Sequence, residues 1–132
     1  MSSARLASSV VVVAITLWLS APLAAHHGAA TYDVGKKVVL KGTVAGWIYA
    51  NPHCLLSLDV VGEDGKMVRW IAEGQAPSVV YASGYHKDSF KAGDQVTITV
   101  EPVKNGNPLG RILAAVLADG TTLGVAGGRA AP

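Results

Sequence analysis

Between Lys37 and Ile48 the chain alternates with a period of two: Val38, Leu40, Gly42, Val44 and Ile48 fall on one side, and Lys37, Lys41, Thr43 and Trp47 mostly on the other. That period is the signature of a strand with one buried face. Gly42 and Gly46 predict a bend or bulge within it, since glycine weakens a straight strand but permits sharp coiling. Asn51-Pro52 ends the strand, because proline donates no ladder hydrogen bond and restricts the residue before it. A second strand is predicted over 53–61, with Leu56, Leu58 and Val60 alternating against Ser57 and Asp59. The Asp64-Gly65 pair is a hairpin turn, and a third strand follows over 67–73, with Val68, Trp70 and Ala72 set against Arg69 and Glu73.

The pattern then changes. Residues 76–83 read as one short helix, with Pro77 in its first turn and Gly84 at its stop. A polar loop runs to Gly93. The fourth strand, 95–103, has Val96, Ile98 and Val100 inward and Thr97, Thr99 and Glu101 outward. Asn105-Gly106-Asn107-Pro108 turns into a fifth strand, 109–117, whose facing is ambiguous because 112–116 is almost wholly apolar. A short extended piece follows Asp119-Gly120. Three strands, a helix and two strands, with a long glycine-kinked first strand, predict an all-β domain with one short helix: a five-stranded OB-like Greek-key barrel. Closure also removes exposed sheet edges.

Ahead of the barrel lies a segment of another kind. Arg5 precedes an apolar run from Leu6 to Leu19, broken at Ser20-Ala21-Pro22 and followed by Ala24-Ala25. A basic start, a short apolar stretch and a small-residue exit are the parts of a secretory signal peptide. The run is shorter than the roughly 20 residues that span a bilayer. Residues 1–25 are therefore expected to be a cleaved leader, with no stable membrane anchor afterwards and a periplasmic or secreted destination. Cleavage after Ala25 is favoured over cleavage after Ala24. Residues 26–35 then form an N-terminal arm, 36–123 the barrel, and 124–132 a Gly/Ala-rich tail.

Composition narrows the functions. Removing 25 of 132 residues leaves 107, enough for one core. The leader takes Arg5 with it, so 10 basic residues face 9 acidic ones, and no basic stripe is present. That argues against a nucleic-acid partner. Cys54 is the one cysteine, so no internal disulfide is available and the expected role is a small buried side chain.

Taken together, Ala25-His26-His27, Asn51-Pro52-His53, Asp64-Gly65-Lys66, Trp70 with Glu73, Lys87-Asp88-Ser89, Gly93-Asp94-Gln95-Val96 and Asp119-Gly120 resemble a family of short exported bacterial proteins that carries only a domain-of-unknown-function label. The resemblance spans nearly the whole mature chain, and its most specific pieces are the His-His start and the Asn-Pro-His. It implies an exported OB-like barrel and brings no activity or catalytic residue. Cys54 departs from the family pattern, where a different residue follows the Asn-Pro-His.

The candidate chemistry lies in the histidines: His26, His27, His53 and His86. With cleavage after Ala25, His26 offers its free amine and ring Nδ1 to one metal ion; with cleavage after Ala24, His27 becomes residue three behind an amine and backbone nitrogens. Both termini suit Cu(II), which favours planar nitrogen donors. The expected metal ligands are His26 and His27, with His53 as a third, and the alternative for His53 is a hydrogen bond to a loop carbonyl or to Glu73. His86 reads as a surface residue. A second function class is a non-catalytic module binding a protein, peptide or glycan on a face near Trp47, Tyr49, His53, Trp70 and Glu73. Asp59, Glu73 and Glu101 lie on separate strands, and their spacing singles out no acid/base pair. No nucleotide loop, nucleophile elbow or zinc-protease helix is present, so an enzyme is the least supported class.

Overall fold

The computed structural model describes residues 31–124. The expected leader (1–25), residues 26–30 of the expected arm with His26 and His27 among them, and residues 125–132 of the expected tail lie outside the described residues. Alternation of β-branched and polar residues gives β1 (Val38–Ile48), β2 (Leu55–Val61) and β3 (Met67–Glu73). A single helical turn, α1 (Pro77–Val80), continues as a 3-10 turn (Tyr81–Ser83) and stops at left-handed Gly84, φ 89°. Then come β4 (Gln95–Pro102), β5 (Leu109–Val116) and the two-residue β6 (Thr122–Leu123).

The strands pair in the order β3-β2-β1-β4-β5-β6. A parallel pairing of β3 with β5, Ile71 to Leu109 through Glu73 to Arg111, closes the ring. The result is a five-strand barrel with one short helix between its third and fourth strands, the arrangement the sequence predicts. Its interior holds Leu40, Val44, Leu56, Leu58, Ile98 and Val100, all but sealed from solvent. Cys54 is also fully buried and unpaired; burial pushes its thiol up in pKa.

β1 bends where a register shift falls between Val44 and Gly46. This bulge corrects the predicted facing of the strand's end. One extra residue reverses which side points inward, so Ile48 is 55% exposed and Trp47 turns onto the core. Trp47 meets Phe90 edge-on at 5.0 Å between ring centres and stands 6.0 Å from Tyr49. Its Nε1–H donates to the His86 carbonyl at 2.9 Å, and the Tyr49 hydroxyl donates to the Pro77 carbonyl at 3.3 Å. The two aromatics thus close one end of the barrel beneath the helical turn.

The described part of the arm, from Thr31 onward, is laid against the barrel. Tyr32 forms a bridge with Val103; the Asp33 N–H donates to Pro102 and the Lys104 N–H to Thr31. This strap covers the outer side of β4 where it meets β5, and Glu101, which the alternation sets facing outward, is buried beneath it. The cover comes from a residue some seventy positions away, which strand periodicity cannot register.

Candidate functional site

The closing pairing sets charged residues side by side. Glu73 of β3 pairs with Arg111 of β5, and Arg111 pairs across to Glu101 of β4. Three strands thereby contribute one row, Glu73–Arg111–Glu101, on the outside of the barrel. The Arg111 guanidinium binds Glu101 Oε2 through Nε and Nη2, and its carbon lies 5.4 Å from the centre of the Tyr32 ring. Arg111 first, then the Gly35 N–H at 3.2 Å, hold the Glu101 carboxyl below its ordinary pKa.

His53 joins this row through the β2–β3 register. Leu55 stands opposite Glu73, and His53, two residues before Leu55, falls on the same face. The loop carrying it is pinned: the Cys54 N–H donates to Gln75 and the Gly74 N–H to Cys54. The Asn51-Pro52 peptide preceding it is cis. His53 Nδ1 lies 2.8 Å from Glu73 Oε1, and the Tyr32 hydroxyl donates to Glu73 Oε2 at 2.6 Å. Glu73 is only 8% exposed, yet each carboxylate oxygen has a partner. A buried carboxylate is tolerated on that condition. Burial foremost, then the Glu73 carboxylate it donates to, pushes the Tyr32 phenol upward in pKa, so Tyr32 stays a donor well into the alkaline range.

The chemical consequence falls on the other side of the imidazole. The Nδ1 edge of the ring faces Glu73; a neutral imidazole that keeps its proton on that edge carries its lone pair on Nε2. The His53 side chain is about half exposed. A histidine that donates its second N–H to a carboxylate is the arrangement found behind metal ligands, where the carboxylate fixes the ring and raises its basicity.

Sequence reasoning anticipated the His53–Glu73 contact as the alternative to a ligand role, and the two are compatible because they use different ring nitrogens. It missed Tyr32 and Arg111, whose only traces in the sequence are an aromatic in a polar arm and an arginine heading an apolar strand. His86 is elsewhere, its ring edge-on to Tyr81 at 4.5 Å. Trp70 is partly buried opposite Leu58. Asp59 pairs with Arg69 across the β2–β3 hairpin at 2.7 Å, which lowers its pKa. Among the described residues no three of His, Cys, Asp and Glu converge as a metal cage. Behind Glu73 and Arg111 a cavity of about 290 Å³ runs under α1.

A family model, described as a family of unknown function (DUF6152), matches residues 14–112. The chain belongs to DUF6152. The matched span takes in β1 to β4 and the start of β5, and with them Tyr32, His53, Glu73, Glu101 and Arg111 of this DUF6152 member. No curated protein and no solved structure matches it.

Proposed function

We propose that this DUF6152 protein is an exported, periplasmic metal-binding barrel, with copper bound by His53 Nε2 together with His26 and His27. The observation that carries the reading is the 2.8 Å contact from His53 Nδ1 to the buried Glu73 carboxylate, which orients a half-exposed ring and leaves Nε2 as the nitrogen not engaged by Glu73. The arm supplies the rest. Tyr32 is fixed against Glu73, and His27 precedes it by five residues, a stretch that reaches at most roughly 17 Å. The path from Tyr32 through Glu73 to His53 is one tyrosine side chain, one carboxylate, a hydrogen bond of 2.6 Å and a contact of 2.8 Å long, a span that a chain of that length can match. Nitrogen donors of this kind favour Cu(II) among the divalent ions, and the leader's composition supports export.

The test is Cu(II) titration of protein that begins at its natural first residue, established by intact mass. One ion per chain at submicromolar affinity is expected, weakened at least tenfold by His53→Ala and again by replacing His26 and His27. Binding no tighter than micromolar, or indifferent to all three histidines, sinks the proposal.

A further inference from the structure

We propose that the cavity under α1 is a second binding site, for a small uncharged molecule with a ring-sized apolar body and one hydrogen-bond acceptor that the Tyr85 hydroxyl holds. The site is built between Glu73 and Gly124 and is independent of the copper reading. It exists because the barrel wall is open there. β3 pairs with β5 only as far as Glu73 and Arg111, and β6 joins β5 at Ala115. Between those pairings Ile112, Leu113 and Ala114 have a strand neighbour on one side alone, β4, and Leu113 is the extra residue of a bulge between Ile112 opposite Val100 and Ala114 opposite Thr99. Val79, Val80 and Ser83 of the helical turns wall off the opening, which encloses about 290 Å³. A cavity of roughly 150 Å³ takes a benzene ring, so one of this size takes a molecule of about ten to twelve non-hydrogen atoms.

Two observations give the ligand its chemistry. Tyr85 lines the cavity and is 3% exposed, and its hydroxyl is buried with no hydrogen-bond partner among the described residues. Buried hydroxyls are nearly always paired, because an unmade bond forfeits the solvation lost on burial. Burial pushes the phenol up in pKa, so it keeps its proton for an acceptor. Gly124 packs directly on this hydroxyl: a Cβ there would lie 2.4 Å from its oxygen and 2.6 Å from the Leu113 carbonyl oxygen. Tyr85, Leu113 and Gly124 thus share one stretch of the wall, and an acceptor lodged against it is the partner the hydroxyl lacks. The second observation is charge. Glu73 and Arg111 are the charged residues of the wall, and both are already engaged, Glu73 by Tyr32 and His53 and Arg111 by Glu101. An anion would face the Glu73 carboxylate and a cation the Arg111 guanidinium, each without a free counter-charge, which burial penalises. An uncharged ligand avoids both.

The test is a titration of the metal-free, ¹⁵N-labelled protein with benzamide, with its anionic counterpart benzoate, and with toluene, which keeps the ring and lacks the acceptor. Benzamide is expected to shift the amide resonances of Ile112, Leu113 and Gly124 saturably and to bind about fivefold more tightly than either of the others, the worth of one hydrogen bond. Tyr85→Phe should bring benzamide down to the level of toluene while leaving the Tm of the empty protein unchanged or higher, since it removes an unpaired polar group. Val79→Trp adds bulk to the wall at an exposed position and should abolish binding without disturbing the interior. No saturable shift, binding indifferent to both variants, or benzoate bound more tightly than benzamide overturns the site. A lower Tm for empty Tyr85→Phe shows that the hydroxyl already has a partner and overturns its role. Because no metal is present, each of these outcomes leaves the copper reading where it stood.

Discussion

At the scale of single residues, two carboxylates on one row have different work. Glu73 shares its two oxygens between Tyr32 and His53. Glu73→Gln keeps the shape but replaces one acceptor oxygen by a donor amide, so the imidazole loses its anionic partner. Copper affinity should fall by about 10–100-fold, the usual cost of losing a carboxylate behind a ligating histidine, as read by competition with a chelator of known affinity. Glu101 is a stability element, its pKa depressed by Arg111 and Gly35. A group with a lowered folded-state value binds its proton less readily than in the unfolded chain. Its contribution is therefore complete above the ordinary glutamate value of about 4.3 and is lost as pH falls through the depressed one. Glu101→Gln should lower Tm at pH 7, and the gap to wild type should close on acidification below pH 4; thermal scans across pH 2.5–7 check this.

At the scale of elements, β1 shows what the alternation carries and what it omits. Strand bounds and the presence of a bulge were legible, because the period of two and the glycines are local. The sense of the bulge was not, because it is set by pairing with β2, and so Ile48 was expected inward and Trp47 outward. Gly42 and Gly46 look alike in sequence but have different reasons for being glycine. A Cβ on Gly42 would lie 2.6 Å from the Asp59 carbonyl oxygen of β2, whereas one on Gly46 would meet nothing within 4 Å. Gly42→Ala is accordingly expected to destabilise by about 1–3 kcal/mol, in the range of other overpacked sites. Gly46→Ala should stay within about 0.5 kcal/mol of wild type. Urea unfolding of the two variants separates the cases. The candidate site was only half visible for a related reason: His53 and Glu73 belong to adjacent strands, and neighbouring pairings can be guessed. Tyr32 and Arg111 arrive by the arm and by the β3–β5 closure, and neither leaves a local pattern.

For the molecule as a whole, stability rests on one apolar interior with no covalent cross-link among the described residues, and Cys54 lies sealed within it. Its thiol should resist alkylation in native buffer and react at the rate of the unfolded chain once the barrel opens, making the native protein's modification rate a measure of global unfolding. The strap at Tyr32 has a consequence of another sort. With Tyr32 fixed, a five-residue tether back to His27 that behaved as a flexible coil would have an r.m.s. span of roughly 12 Å and, under the copper reading, would offer the histidines to His53 at an effective concentration in the millimolar range. Affinity is then set by a local concentration and not by a rigid cage, and it should respond to linker length by degrees. Five Gly/Ser residues inserted between Ala29 and Ala30 double the linker and, by the three-halves power of length, should weaken copper binding only about threefold; a metal held by the amino terminus alone would be indifferent to the insertion.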